Sequence, residues 1–193
     1  MFDPQGPVLG IDPGLSRCGY GAVAGRAGDS YAVAYGVITT APADPLPERL
    51  AQLAAELTAL VAEVSPRALA VERVLFQNNA RTAISVGQAS GLALVAAAQA
   101  GIPVTQYSPN EVKLAVAGHG GADKEQVQLM VTRLLRLETV PRPPDAADAL
   151  ALALCHQWVS PLSDRVALDP ATAGEPSGFD RAVAAALARE GSR

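Results

Sequence analysis

The sequence predicts an α/β domain built on a mixed central sheet flanked by helices. Alternating apolar residues over 19–24 and 31–40 follow an apolar run over 8–12, which indicates a three-stranded antiparallel meander. An amphipathic helix then leads to a second short apolar run over 68–72. A strand, a helix and a strand in this order predict that the new strand lies parallel to the first.

Start and stop signals mark the elements that follow. A helix of small residues over 81–100 permits tight packing, within the fold or across a subunit boundary. A strand over 103–107 precedes a capping box that opens at Ser108, and a second box opens at Asp123. The last predicted helix covers 145–158. These elements complete the alternation of strands and helices that an α/β fold requires.

Length and composition predict one domain and a tail. With 193 residues the chain is long enough for one α/β domain, which we expect to cover 1–160. From about Pro161 the composition shifts to Asp, Pro, Gly and Ser, which predicts a flexible C-terminal tail over 161–193. No run approaches membrane-spanning length and no signal pattern is evident, so we expect a cytoplasmic protein with no membrane partner. Cys18 and Cys155 are expected to be buried free thiols.

The net charge of −4 argues at first against a nucleic-acid partner. Its distribution weakens that argument, because residues 73–144 carry seven basic and four acidic side chains. A site that binds divalent metal ions also reverses the sign of its own charge. Whole-chain charge therefore does not exclude binding to nucleic acid.

Two acidic residues each close an apolar strand, and two more begin the last helix. Asp12 precedes Pro13-Gly14, which also suits a turn with no chemistry, and Glu72 ends the run 68–72. Asp145 and Asp148 are neighbours on one helical face, although they could equally cap the helix and favour its dipole. His119 and His156 form no ligand motif; we expect the former in solvent and the latter on the helix surface or against its neighbours.

Taken together, the four acids predict a metal centre. Parallel strands would bring Asp12 and Glu72 to one edge of the sheet, where the first turn of the last helix could complete a cluster of carboxylates. Such a cluster offers only hard oxygen ligands, which selects Mg²⁺ or Mn²⁺ over zinc. Two such ions, about 3.5–4 Å apart, can activate a water and stabilise the leaving oxygen in phosphodiester hydrolysis.

These residues in these settings resemble the RuvC family of Holliday-junction resolvases, which have a ribonuclease H-like fold. The resemblance covers roughly residues 8–158, in order and without large insertions. It is carried by Gly10-Ile-Asp-Pro-Gly14, Gly19-Tyr-Gly, Glu72 with Asn79, Gly87-Gln-Ala-Ser-Gly91, Val112-Lys113, Lys124 with Gln126-Val-Gln, and Asp145-Ala-Ala-Asp-Ala-Leu-Ala.

The resemblance implies a function and its partners. The four acids would be the catalytic, metal-binding set, with two Mg²⁺ (or Mn²⁺) ions per active site. A homodimer would cut opposed strands of a four-way DNA junction symmetrically, at preferred short sequences, in recombination and repair. The family also implies a complex with a branch-migration helicase.

The resemblance further implies DNA contacts outside the acids. Lys113 and Lys124 would hold backbone phosphate, with Arg73 and Arg81 as further phosphate contacts; ordinary surface positions are the alternative. Relatives often carry an aromatic residue where this chain has Leu75, and Phe76 follows one position later. Phe76 would stack at the centre of the junction, unless its ring is turned into the core.

Other functions fit part of the pattern. A ribonuclease H-like nuclease of different specificity would need the same four acids. An actin-like or sugar-kinase-like ATPase shares the Gly-Ile-Asp-Pro-Gly motif but needs a second glycine-rich loop, which is not evident. A junction-binding protein that does not cut would gain nothing from clustered negative charge facing phosphate.

Overall fold

The computed structural model describes residues 6–26, 28–73 and 80–168, with side chains described at 6–26, 28–73, 83–159. Its centre is a five-stranded sheet in the order β3-β2-β1-β4-β5. The strands are β1 Val8–Asp12, β2 Arg17–Arg26, β3 Asp29–Thr39, β4 Ala68–Glu72 and β5 Val104–Tyr107.

The sheet is mixed, as the sequence predicts. β1, β2 and β3 form an antiparallel meander, while β4 lies parallel to β1 and β5 parallel to β4. Asp12 faces Gly19 across the antiparallel pair, and Ile11 aligns with Val71 across the parallel pair. The ends of β1 and β4 therefore lie side by side at one edge of the sheet.

Over the described residues, five helices accompany the sheet: α1 Leu46–Val64, α2 Ala80–Gln99, α3 Pro109–Ala117, α4 Lys124–Leu134 and α5 Pro144–Leu168. Both predicted capping boxes are present, because Ser108 and Asp123 each accept the backbone N–H three residues later and receive a reciprocal contact. α5 continues to Leu168, whereas the predicted helix stopped at 158. The composition predicts a tail from about Pro161, but α5 continues through it because the residues from 162 to 168 are compatible with a helix.

Side-chain alternation divides the core into two layers. Leu9 and Ile11 of β1 pack with α1 and α2 on one face of the sheet. Val8, on the other face, belongs to a layer formed with α3, α4 and α5. Leu150 and Leu154 fill the centre of this second layer. The sheet thus lies between helices, which confirms the predicted architecture.

Glycines on β1 and β2 allow α5 to lie directly on the sheet. A Cβ atom added at Gly10 would lie 2.0 Å from the carbonyl oxygen of Ala149, and one at Gly19 would lie 2.2 Å from that of Asp145. A Cβ at Gly21 would meet the backbone nitrogen of Leu150 at 2.7 Å. Only glycine permits this close approach, which sets where the first turn of α5 stands.

Buried polar groups hold the middle of α5 in place. His156 is buried, and its Nδ1 lies 3.0 Å from the hydroxyl of Tyr107. Gln157 donates from Nε2 to the carbonyl of Gly25 and receives the Ser30 hydroxyl at Oε1, both at 2.7 Å. His156 therefore contacts its neighbours rather than solvent, because the helix is covered on every side in this stretch.

The chain divides into two units, Met1–Val159 and Ser160–Arg193. In the second unit the described residues end at Leu168 and are helical, so the flexible tail stays a prediction. Both cysteines are buried and free, as expected. Over the described residues, no helix combines the length and apolar character needed to cross a bilayer.

Candidate metal-dependent active site

The two strand-borne acids meet at the edge of the sheet. Asp12 is the last residue of β1 and Glu72 the last of β4, and their side chains share a hydrogen bond. Burial, followed by the charges of Glu72 and Asp148, raises the pKa of Asp12 from 3.8 to about 8. Burial also raises the pKa of Glu72. At neutral pH this pair shares a proton unless a cation replaces it.

The two helix-borne acids stand above this pair and have basic partners. The close contact of α5 with β1 and β2 places Asp145 and Asp148 beside Asp12, whose pKa both raise. Asp145 forms an ion pair with Arg17 at the start of β2. Asp148 forms another with Lys124, whose Nζ lies 2.6 Å from Oδ2. The structure thus brings all four predicted acids into one electrostatic cluster.

The charges of this cluster act on one another. Burial raises the pKa of Asp148, and the contact with Lys124 only partly offsets that effect. Burial tends to lower the pKa of Lys124, but its contact with Asp148 and the charges of Asp12 and Asp145 leave that pKa raised. Lys124 therefore stays protonated and reduces the repulsion among the carboxylates.

A cavity of about 400 Å³ opens beside three of the acids. Its charged lining consists of Asp12, Glu72, Asp148, Lys113 and Lys124. Its apolar lining comes from α3, α4 and α5 and consists of Pro109, Val112, Val127, Ala151 and Leu152. A cavity lined by carboxylates, ammonium groups and apolar side chains suits a phosphodiester beside a metal centre.

The four carboxylates are suited to a divalent cation that prefers oxygen ligands. Within the described residues, no group of three Asp, Glu, His or Cys side chains is arranged to hold one ion, and two of the acids contact Arg17 and Lys124. The chemistry of the set is nonetheless clear, since the clustered donors are all carboxylate oxygens, which suit Mg²⁺ and Mn²⁺. The two basic side chains occupy the carboxylates that such ions would bind.

The structure describes the side chains of only some of the predicted DNA-contact residues. Lys113 and Lys124 both line the cavity. Arg73 follows β4, is exposed, and donates from Nη2 to the carbonyl of Gln106 at 3.0 Å. Arg81 lies in α2, with its side chain outside the described part, and Phe76, like Leu75, falls in the undescribed segment 74–79.

Arg17 was missed by the sequence analysis. It lies two residues before Gly19 on β2 and therefore on the strand face that carries α5. The alternation of β2, counted back from Gly19 opposite Asp12, could have indicated this position. The contact with Asp145 spans 128 residues of sequence, however, so no local pattern shows it.

The sheet order and the carboxylate cluster at its edge define a ribonuclease H-like nuclease. A family model described as "Crossover junction endodeoxyribonuclease RuvC" matches residues 8–156. The chain belongs to this family. Family membership confirms the predicted fold class and the predicted endodeoxyribonuclease activity, which in this family depends on a divalent metal ion. It decides against the ATPase and the non-cutting binder.

Individual relatives agree with this placement. A protein of Salinispora arenicola named crossover junction endodeoxyribonuclease RuvC is 58% identical over 161 residues, which cover 83% of this chain and 92% of the relative. The protein of that name from Syntrophomonas wolfei is 48% identical over 168 residues, covering 87% and 98%. A solved structure described as T. thermophilus RuvC in complex with Holliday junction substrate has a TM-score of 0.78 and 42% identity, covering 82% of this chain and 96% of that one.

Proposed function

We propose that this protein resolves four-way DNA junctions by symmetric paired nicks, during recombination and repair. The observation that carries the proposal is the convergence of Asp12, Glu72, Asp145 and Asp148 from three elements onto one edge of the sheet. The junction as substrate is supported by the 42% identity to a protein solved with a Holliday junction. We place this activity in the cytoplasm.

The proposed cofactor is Mg²⁺, with Mn²⁺ as a substitute, at two ions per active site held by the four carboxylates. When bound, the ions supply an activated water and stabilise the leaving oxygen. Asp12 and Glu72 would serve as the fixed ligands, because they end strands in the core. Asp145 and Asp148 would exchange their basic partners for the ions.

The chain's own residues bind and orient the DNA in this proposal. Lys113 and Lys124 stand at the cavity and are suited to hold the phosphates beside the acids. The apolar side chains in the cavity lining would limit the access of water to the bound phosphate. Arg73 and Arg81 are proposed as outer phosphate contacts, and Phe76 as the residue that stacks at the junction centre.

A homodimer is proposed because paired nicks need two equivalent sites. α2 offers an apolar stripe at helical spacing, formed by Ile84, Gly87, Gly91 and Val95. Ile84 is 61% exposed and Val95 is 52% exposed. Two copies could bury this stripe against each other across a two-fold axis. A branch-migration helicase is the further partner proposed from the family.

The direct test is the cutting of a mobile four-way junction with Mg²⁺, with Mn²⁺ and with neither. We expect metal-dependent nicks at symmetric positions on two opposed strands, resolved on all four strands in sequencing gels. Duplex DNA and a three-way junction of the same sequences serve as controls. Equal cutting of the duplex would instead support a ribonuclease H-like nuclease of other specificity.

The dimer is tested with Ile84→Arg, which places a charge in the proposed interface. We expect a monomeric mass by analytical ultracentrifugation and nicks that are no longer paired in time. Val33→Arg is the matched control, because Val33 is 52% exposed on the edge strand β3. A dimeric Ile84→Arg protein with paired nicks would move the interface away from α2.

A further inference from the structure

Arg17 lies beside the proposed metal site but has no role in the reaction proposed above. It opens β2, and its guanidinium contacts the carboxylate of Asp145 while half of its side chain remains exposed. Gly19, two residues further along, lies against the backbone of Asp145. Arg17 therefore stands on the α5 side of the sheet, at the edge where Asp12 ends β1.

The backbone that carries Arg17 is firmly anchored. The hydroxyl of Thr40 donates to the carbonyl of Leu15 at 2.6 Å, and the backbone N–H of Thr40 bonds to the carbonyl of Ser16 at 3.3 Å. Arg49 of α1 donates to the Thr40 hydroxyl at 2.9 Å and to the Ser16 hydroxyl at 2.6 Å. The backbone next to Arg17 is thus fixed, while about half of its long side chain is exposed to solvent.

We propose that Arg17 is a phosphate-binding residue of the active site, which Asp145 holds in reserve until a divalent cation takes its place on that carboxylate. The inference rests on the proposed function, because it assigns Asp145 as a metal ligand. It adds a switch: the same carboxylate contacts either Arg17 or the ion, and the released guanidinium turns to the DNA backbone.

Charge supports this exchange. Without metal, four acids stand with three bases (Arg17, Lys113 and Lys124) at the sheet edge, so the site has no surplus positive charge for a phosphate. Divalent ions on the carboxylates would leave Arg17 and Lys124 as uncompensated cations beside the bound DNA. Guanidinium pairs well with phosphate, since its planar donors match two oxygens at once. DNA binding and metal binding then support each other.

The first test is Mg²⁺ binding without DNA, measured by titration calorimetry. We expect Arg17→Ala to bind Mg²⁺ about three- to fivefold more tightly than the wild type, because an exposed ion pair that competes for Asp145 is removed. The double variant with Asp145→Asn should show no such gain. Arg136→Ala is the matched control, since that arginine pairs with Asp29 on the surface. Unchanged or weaker Mg²⁺ binding by Arg17→Ala would overturn the reserve role.

The second test is junction binding, followed by stopped-flow anisotropy before cutting. With Mg²⁺ we expect Arg17→Ala to bind about three- to tenfold more weakly, with a salt dependence reduced by about one phosphate contact. Without Mg²⁺ its binding should equal that of the wild type. A loss of the same size with and without Mg²⁺ contradicts the switch, as does no loss at all.

The two proposals fail in distinguishable ways. If wild-type protein cuts the junction no better than duplex, the proposed function fails, but tighter Mg²⁺ binding by Arg17→Ala still supports the exchange at Asp145. If the junction is cut as proposed and Arg17→Ala behaves like Arg136→Ala in both assays, the role of Arg17 alone is refuted.

Discussion

The two acids at strand ends and the two acids on α5 belong to one cluster but differ in their surroundings. Asp12 and Glu72 are hydrogen-bonded to each other, and burial dominates the pKa of both. Asp145 and Asp148 each form an ion pair with a basic side chain that is more than half exposed. The strand acids thus pair with each other, whereas each helix acid is balanced by an exposed basic side chain, although burial also raises the pKa of Asp148.

In the proposed metal centre, this difference would separate two tasks. The strand acids stand on β1 and β4, whose other residues are buried, so their position costs little further ordering. The position of the helix acids depends in addition on the packing of α5 against Gly10 and Gly19. We therefore expect the strand acids to dominate the chemistry, and the helix acids to respond more to charge and to salt.

Asp12→Asn provides the largest expected effect. Losing this strand-borne carboxylate should reduce junction cutting about 10³-fold or more, because metal stabilisation of the transition state contributes several kcal/mol. Asp145→Asn should cost less, about 10- to 100-fold, since that acid is shared with Arg17. Single-turnover rates measure both, and junction binding without metal should persist. Equal losses for the two variants would remove the proposed distinction between strand and helix acids.

Gly10→Ala tests the docking of α5 that brings the two pairs together. Its Cβ would meet the Ala149 carbonyl at 2.0 Å, so we expect a loss of about 3 kcal/mol in the free energy of unfolding. Urea denaturation measures this loss. Gly120→Ala is the control, because a Cβ added at that glycine meets no atom within 4 Å and its φ lies outside the left-handed region. A stable Gly10→Ala protein with normal cutting would show that α5 does not need this close approach.

The raised pKa of Asp12 predicts a pH dependence of stability without metal. The folded protein keeps a proton that the unfolded chain releases, so the free energy of unfolding falls as pH rises from about 4 to about 8. Asp12→Asn cannot ionise and should be more stable than wild type at pH 8 by about 2 kcal/mol, or several degrees in Tm.

Thermal unfolding in EDTA across this pH range checks that prediction. Asp29→Asn serves as the control, because Asp29 is an exposed acid paired with Arg136. Saturating Mg²⁺ should abolish the advantage of Asp12→Asn, since the metal replaces the shared proton. A wild-type Tm that stays level between pH 5 and pH 8 would contradict burial of the strand pair.

Lys124→Ala has the smallest expected effect. This lysine balances Asp148 and lines the cavity, so its loss should weaken junction binding about threefold to tenfold and reduce the salt dependence by about one phosphate. Folding stability should change by less than about 1 kcal/mol, because the side chain of Lys124 is 61% exposed. Fluorescence anisotropy at several salt concentrations measures the binding. A salt dependence equal to that of wild type would assign Lys124 to Asp148 alone.

Much of the fold could be predicted because its signals are local. The alternation of β2 and β3, the short run that ends in Glu72, and the box that opens at Ser108 each depend on a few neighbouring residues. The parallel pairing of β1 and β4 followed from the order of the elements. The buried face of α5 could not be predicted, since its residues are apolar on all sides.

By itself, the sequence determined the family, the mixed sheet and the identity of the four acids, because apolar periodicity and short motifs act within a few residues. Only the tertiary structure decided which base pairs with which acid, how strongly Asp12 holds its proton, and that His156 is buried. These properties depend on burial and on charges brought together from distant segments, and Coulomb interactions and desolvation are functions of distance in space rather than in sequence.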